Sequence, residues 1–213
     1  LAIEQAFNGV QLGMILFLMA TGVTLAFGVM NLINLAHGSM LMLGAYFLAA
    51  AAARSPNYLV AFVIALIGLA IVAAILEIAI VRPLYDRGHL DQVLATFGVS
   101  IALNELVILI WGREPQFLAP PALFDGTVPI ATGLGYPMYR LMITAVAAIA
   151  GLGLWFLIAK TRLGMLIRAG ADKRDMVGVL GVNIRALFTA VFVISALLAA
   201  LAGIMLGPLL AVQ

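Results

Sequence analysis

Cysteine is absent from this chain of 213 residues, which excludes disulfides and thiolate metal sites. Charge is almost as scarce. Asp, Glu, Lys and Arg make up 9% of the sequence, where soluble domains approach a quarter, so an ordinary soluble domain is excluded. No GxxxxGK[ST] phosphate loop occurs, and ATP binding and hydrolysis by that route is excluded with it. HExxH and GxSxG are missing as well, which argues against a membrane enzyme. Nothing at the start reads as a cleavable signal: the chain opens at Leu1 without a methionine, carries Glu4 and runs straight into an apolar stretch. The missing methionine suggests a trimmed or partial chain.

What is present is hydrophobic. A content of 65% hydrophobic residues and a mean hydropathy of +1.21 predict an all-α, polytopic helical membrane protein. About six spans are expected, near 10–30, 40–53, 58–81, 92–111, 141–159 and 186–206, in a single transmembrane domain over residues 1–213. The net charge of +2 and the sequence pI near 9.2 come mostly from one stretch, so they report topology and not nucleic-acid binding.

That stretch runs from Lys160 to Arg185. It holds six of the eleven Lys and Arg residues against Asp172 and Asp175 alone. Loops rich in Lys and Arg stay cytoplasmic, so it orients every span around it. Leu163, Leu166 and Ile167, then Met176, Val179 and Leu180, recur at helical spacing, the pattern of short amphipathic helices against a surface, with Gly181 as a stop. Two readings follow: a solvated connector, or a docking element for a cytoplasmic partner.

The first apolar run breaks at Asn31 to Ser39. One helix from residue 10 to 53 would be about 66 Å long, twice a hydrocarbon core of about 30 Å, so the chain must turn back there. Asn31, Asn34, His37 and Gly38 mark the place, and the second piece is short. Thr21, Thr24, Gly28, Asn31 and Asn34 are spaced to share one helical face, pointing into protein or a pathway. The break is either a discontinuous helix whose freed backbone groups line a cavity, or a tight cytoplasmic turn with a capping Asn and a solvated His37.

Charges inside spans carry the remaining signals. Glu77 lies in the last turn of the third span near Arg82, where it can snorkel or pair in a structural role. His89, in the loop from Arg82 to Asp91, reads as a solvated loop histidine. Glu105 sits within apolar sequence of the fourth span. At roughly 3 kcal/mol it requires about six Leu, Ile, Val or Phe to offset it. Thr96, Ser100 and Asn104 recur every four residues beside it, a polar stripe expected to face other helices. Glu105 is then either protonated or hydrogen-bonded within the bundle, or it lines a substrate path.

Five of the eight prolines fall between Arg113 and Tyr139, an expected extracytoplasmic loop able to contact an external partner. Ala147 with Gly151, and Ser195, Ala199, Gly203 and Gly207, set small residues four apart on the last two spans, faces for close packing within the chain. Pro208 ends or kinks the sixth span. Counting back from the basic stretch puts the 113–139 loop and Arg54 outside, the 82–91 loop and the Asn31 turn inside, and the N-terminus outside.

Four segments together resemble one family. GVQLGMILFLMATGVTLAFGVMNLINLAHGSMLMLGAY (Gly9 to Tyr46), RPL (Arg82 to Leu84), LATFGVSIALNEL (Leu94 to Leu106) and TRLGMLIRAGADKRDMVGVLGVNI (Thr161 to Ile184) are similar, in order, to the permease subunits of bacterial branched-chain amino acid ABC importers. The resemblance implies a translocation pathway for aliphatic amino acids in the inner membrane. It implies no cofactor in this chain, ATP being bound by partner subunits. The expected partners are a second homologous permease subunit, two cytoplasmic ATPase subunits, an extracytoplasmic substrate-binding protein and the lipid bilayer. Coupling to the ATPase would fall on Arg168, Ala169, Asp172, Asp175, Leu180 and Gly181.

Members of the family usually continue past the region of Gly207 and Pro208, which again points to a partial chain. Glu105 stands where the family more often has an uncharged polar residue, which leaves room for a more polar or amide-type cargo. Asn31, Asn34, His37, Gly38, Ser39, Thr96, Ser100, Asn104 and Glu105 are the pathway candidates. A sugar, nucleoside or amide permease of the related superfamily is the alternative in class. A secondary transporter with Glu105 as proton carrier is the alternative in mechanism.

Overall fold

Hydrocarbon offers a backbone no water to bond, so apolar runs of this length satisfy their own N–H and C=O groups as helices. The computed structural model describes residues 2–113, 118, 121, 124, 126–131, 134–172, 174–179 and 181–209. Helix α1 spans Ala2–Met30, α2 His37–Ala52, α3 Tyr58–Leu76, α4 His89–Trp111, α5 Met138–Lys160, α6 Arg162–Asp172, α7 Arg174–Val179 and α8 Ile184–Leu206. Among the described residues, five stretches are long and apolar enough to cross a membrane: α1, α3 with the turns that continue it to Leu84, α4, α5 and α8. With 16 residues, about 24 Å, α2 falls short of a full hydrocarbon core.

Local chemistry sets the ends. Asn57 caps α3 by accepting from the Leu59 N–H at 3.0 Å, and Asn183 caps α8 by accepting from the Ala186 N–H at 3.1 Å. Helix α3 loosens into a π-helical turn at Glu77–Val81 and tightens into a 3-10 turn at Arg82–Leu84, where Pro83 has no N–H to continue the ladder.

Several expected boundaries move. Helix α1 begins at Ala2 instead of about Val10, because its first turns have a cover the sequence did not disclose. Within the expected 113–139 loop, β1 (Thr127–Ala131) and β2 (Leu134–Pro137) form an antiparallel hairpin pairing Thr127 with Pro137 and Val128 with Tyr136. Tyr136 donates to Asn8 Oδ1 at 3.1 Å and packs its ring 5.3 Å from that of Phe7. The basic stretch is two helices, α6 and α7, and not an open connector. Finally, α1 stops at Met30, so Asn31 and Asn34 do not share a helical face with Thr21, Thr24 and Gly28.

The core is organised by α8, which packs on α1, α2 and α3. The small residues expected to permit close contact do so within the chain. Gly44 of α2 lies against Ala200, such that a Cβ on Gly44 would be 2.6 Å from the Ala200 carbonyl oxygen, and Gly203 fits against the Leu41 backbone. Ser195 donates to the Gly22 carbonyl at 2.7 Å, tying α8 to α1. Gly151 of α5 lets the Phe17 ring close on α5: a Cβ there would be 2.7 Å from Phe17 Cε1.

A methyl group at Gly44 has no space and a rigid backbone opposite. Gly44→Ala is expected to lower stability by about 2 kcal/mol, read as a fall in the melting temperature of the purified chain in detergent. Gly98→Ala, in α4 with nothing within 4 Å of the added carbon, is the control and should hold or raise it.

Candidate transport site: a helix break, a buried carboxylate cluster and an amphipathic pair

The break between α1 and α2 is built on α4. Asn31 takes a left-handed conformation at φ 51° while its N–H still donates to the Phe27 carbonyl at 2.8 Å, which ends α1. The next amides have no helical acceptor, and side chains of α4 supply one. Ile33 N–H donates to Gln92 Oε1 at 3.4 Å and Leu35 N–H to Thr96 Oγ1 at 3.1 Å. Asn34 Oδ1 accepts from the Ala36 N–H at 3.0 Å, and Ser39 and Ser100 share a hydrogen bond of 2.9 Å. Gln92 also donates from Nε2 to the Leu84 and Arg87 carbonyls at 3.2 and 3.3 Å, so one buried amide joins the break to the end of α3. The polar stripe of α4 therefore serves the backbone first: Thr96 and Ser100 hold the break.

Gln92 was not among the sequence candidates. Its signal was there, four residues before Thr96 in the same stripe, but it stood at the expected edge of a span. Asn104, one step further on, is exposed, as is Glu105. Asn31 and Gly38 are exposed too, and Asn34 is half-buried.

His37 is neither a solvated turn residue nor a surface of the break. It is buried among α1, α2 and α8, and its Nε2 has no hydrogen-bond partner among the described residues. Gly22 makes the notch that admits the ring: a Cβ there would lie 2.9 Å from His37 Cε1 and 2.9 Å from the Ser195 carbonyl oxygen.

Glu77 pairs, as its spacing from Arg82 suggested, and does so deep inside. Its side chain is 0% exposed. Oε1 accepts from Tyr85 Oη at 2.7 Å and Arg82 Nε at 3.3 Å, and Oε2 from Arg82 Nη2 at 2.9 Å and Thr189 Oγ1 at 2.7 Å. Four hydrogen bonds and a cation offset the desolvation of the carboxylate. Thr189 belongs to α8, and the Tyr85 ring meets Phe188 edge-on at 5.2 Å. The cluster thus ties the π-helical end of α3 to the first turns of α8.

Immediately before α8, the amphipathic pair lies against the end of the bundle. Leu163, Leu166 and Ile167 of α6 face inward, and Gly164, lacking a Cβ, rests on the last turn of α5 at Leu157 and Ile158. Arg162, Arg168, Ala169 and Asp172 face outward, with Arg168 also donating to the Ile158 carbonyl. Val177 of α7 is buried, whereas Val179 is 89% exposed. Gly181, at φ 81°, turns the chain toward α8 after its N–H closes onto the Gly178 carbonyl at 3.0 Å. Leu180 and the Asp175 side chain lie outside the described residues. No group of three or more His, Cys, Asp or Glu suited to a metal occurs among the described residues.

Apolar helices of membrane-crossing length around a polar, discontinuous pair, with an amphipathic platform at one end, are the architecture of a multi-pass membrane protein. Residues 5–213 match the family described as branched-chain amino acid transport system / permease component, and the chain belongs to that family. The high-affinity branched-chain amino acid transport system permease protein LivH of Salmonella typhimurium is 31% identical over 218 residues, covering 96% of this chain and 70% of the relative. LivH of Escherichia coli is 30% identical and BraD of Pseudomonas aeruginosa 29%, over the same shares. No solved structure gives a significant match.

Two substitutions probe the site. Thr96→Val removes the acceptor for the Leu35 amide at constant shape and should cost about 2 kcal/mol of stability, measured by thermal unfolding. Arg82→Ala leaves the Glu77 carboxylate buried without its cation and should lower the melting temperature clearly, while adding Glu77→Gln to it should recover part of the loss. An Arg82→Ala protein as stable as the unchanged one would show that the pair holds nothing.

Proposed function

We propose that this chain is the membrane-spanning subunit of an ABC importer, carrying branched-chain aliphatic amino acids across the bacterial inner membrane. One observation carries the reading within the family. The α6 and α7 pair presents charged and small residues outward while feeding directly into α8, the most buried of the apolar helices. A push on that platform moves α8 as a rigid body, and through Thr189 and Glu77 it moves the end of α3. Two ATPase subunits bind and hydrolyse ATP and dock at Arg168, Ala169, Asp172, Asp175, Leu180 and Gly181. An extracytoplasmic binding protein delivers the substrate, and the N-terminus lies outside.

The pathway runs along faces that this chain leaves open. Asn31, Asn34 and Gly38 at the break, and Asn104 and Glu105 on α4, supply the amide, backbone and carboxylate groups a zwitterion needs. His37, Ser39, Thr96 and Ser100 lie behind them as the frame. A second homologous permease subunit closes the other side.

The test is uptake of leucine by proteoliposomes holding the complete complex, with the binding protein outside and ATP on the ATPase side. Uptake should require all subunits, and Asp172→Lys, a charge reversal on the exposed face of α6, should lower stimulated ATP hydrolysis about tenfold without changing the melting temperature. Preferential uptake of a sugar, nucleoside or amide would move the cargo to the alternative class. Uptake by this chain alone, driven by a pH gradient and abolished by Glu105→Gln, would replace the importer with a secondary transporter.

A further inference from the structure

A groove runs along α8 on the side away from α1. At the basic end it widens into an open depression of about 650 Å³ with Arg82, Asn183, Arg185 and Thr189 at its mouth and Ala190, Val193 and Ile194 on its wall. Ile194 also lines a second cavity of about 220 Å³, walled by Leu66 of α3, Leu154 and Leu157 of α5, and Leu198 and Leu201 of α8. The two share Ile194 and follow one helix, polar and cationic at one end and wholly aliphatic at the other.

The dimensions select an occupant. Nine residues of helix separate Arg185 from Ile194, about 14 Å, and sixteen separate it from Leu201, about 24 Å. One leaflet of hydrocarbon is about 15 Å deep, half of a core of about 30 Å. An acyl chain whose headgroup sits at Arg185 therefore passes Ile194 and ends inside the second cavity. The charge fits as well. Arg185 is exposed and its guanidinium has no protein partner among the described residues, while Arg82, which holds Glu77 through Nε and Nη2, also lines the mouth. The first turn of α8 adds the positive end of its dipole. A soluble partner could meet the two arginines but could not follow the groove into hydrocarbon as far as Ile194.

We propose that this groove is a binding site for an anionic phospholipid, with the phosphate at Arg185 and Arg82 and one acyl chain against Ala190, Val193 and Ile194. A lipid seated there bridges α3, α5 and α8, and its phosphate lies beside the Glu77 cluster. The site does not depend on which cargo is carried.

The experiment is native mass spectrometry of the purified full chain in detergent, supplied with phosphatidylglycerol or phosphatidylcholine. Phosphatidylglycerol should be retained preferentially. Arg185→Gln should reduce that retention about fivefold, the worth of one surface cation toward an anionic headgroup, and Arg185→Lys should restore it. Ile194→Trp, which fills the groove but leaves both arginines, should reduce retention with the charge intact, and melting temperatures establish that each variant is folded. Equal retention of the two lipids, or undiminished retention by Arg185→Gln, overturns the proposal. Displacement of the lipid by inorganic phosphate would reassign the mouth to a free anion. A cross-link from position 194 to a second copy of the chain would reassign the groove to a subunit contact.

Discussion

A backbone amide released from a helix needs another acceptor, and the joint between α1, α2 and α4 is built around that requirement. The amides of Ile33 and Leu35 are released when α1 ends in the left-handed Asn31, and they are taken up by Gln92 and Thr96. The break therefore fixes the register of α4 against α2. Because Gln92 also holds the Leu84 and Arg87 carbonyls, the end of α3 is fixed by the same side chain. A segment that weakens one helix becomes the joint of three.

Helix α8 supplies the rest of the rigidity by a different force. Lipid tails are as apolar as leucine, so helices in a membrane associate through close contact and hydrogen bonds more than through hydrophobicity. Gly44 against Ala200, Gly203 against Leu41 and Ser195 to the Gly22 carbonyl are such contacts. Near one end of α8 a fully buried carboxylate replaces small residues as the fastener. Glu77 spends every acceptor on Arg82, Tyr85 and Thr189, on a π-helical turn that widens the backbone there. The amphipathic pair enters α8 at that end, so a movement of α6 and α7 reaches close packing and the charge cluster together.

The same frame explains why the polar residues divide into two sets. Gln92, Thr96, Ser39, Ser100 and His37 are turned inward: Gln92 and Thr96 bond the chain's own backbone, Ser39 and Ser100 bond each other, and His37 is packed. Asn31, Gly38, Asn104 and Glu105 are turned outward. Period alone could not separate them: Thr96, Ser100 and Asn104 lie four apart on one helix, yet the first two bond the break and the start of α2 while Asn104 is exposed.

By itself the sequence determined the helical class, the order of the apolar stretches, the shortness of the second, the break at Asn31 to Ser39, the amphipathic basic segment and the pairing of Glu77 with Arg82. Each of these rests on composition or on spacing within about eight residues, which one helix makes legible. Tertiary structure decided the rest: that Gln92 holds the break, that His37 is enclosed by the notch at Gly22, that the third partner of Glu77 is Thr189 in α8, and that a hairpin covers the start of α1. Those contacts join residues from about 15 to 128 positions apart. Hydrophobic patterning in a membrane says which residues are apolar, but lipid and protein neighbours are equally apolar, so it cannot say which face meets which helix.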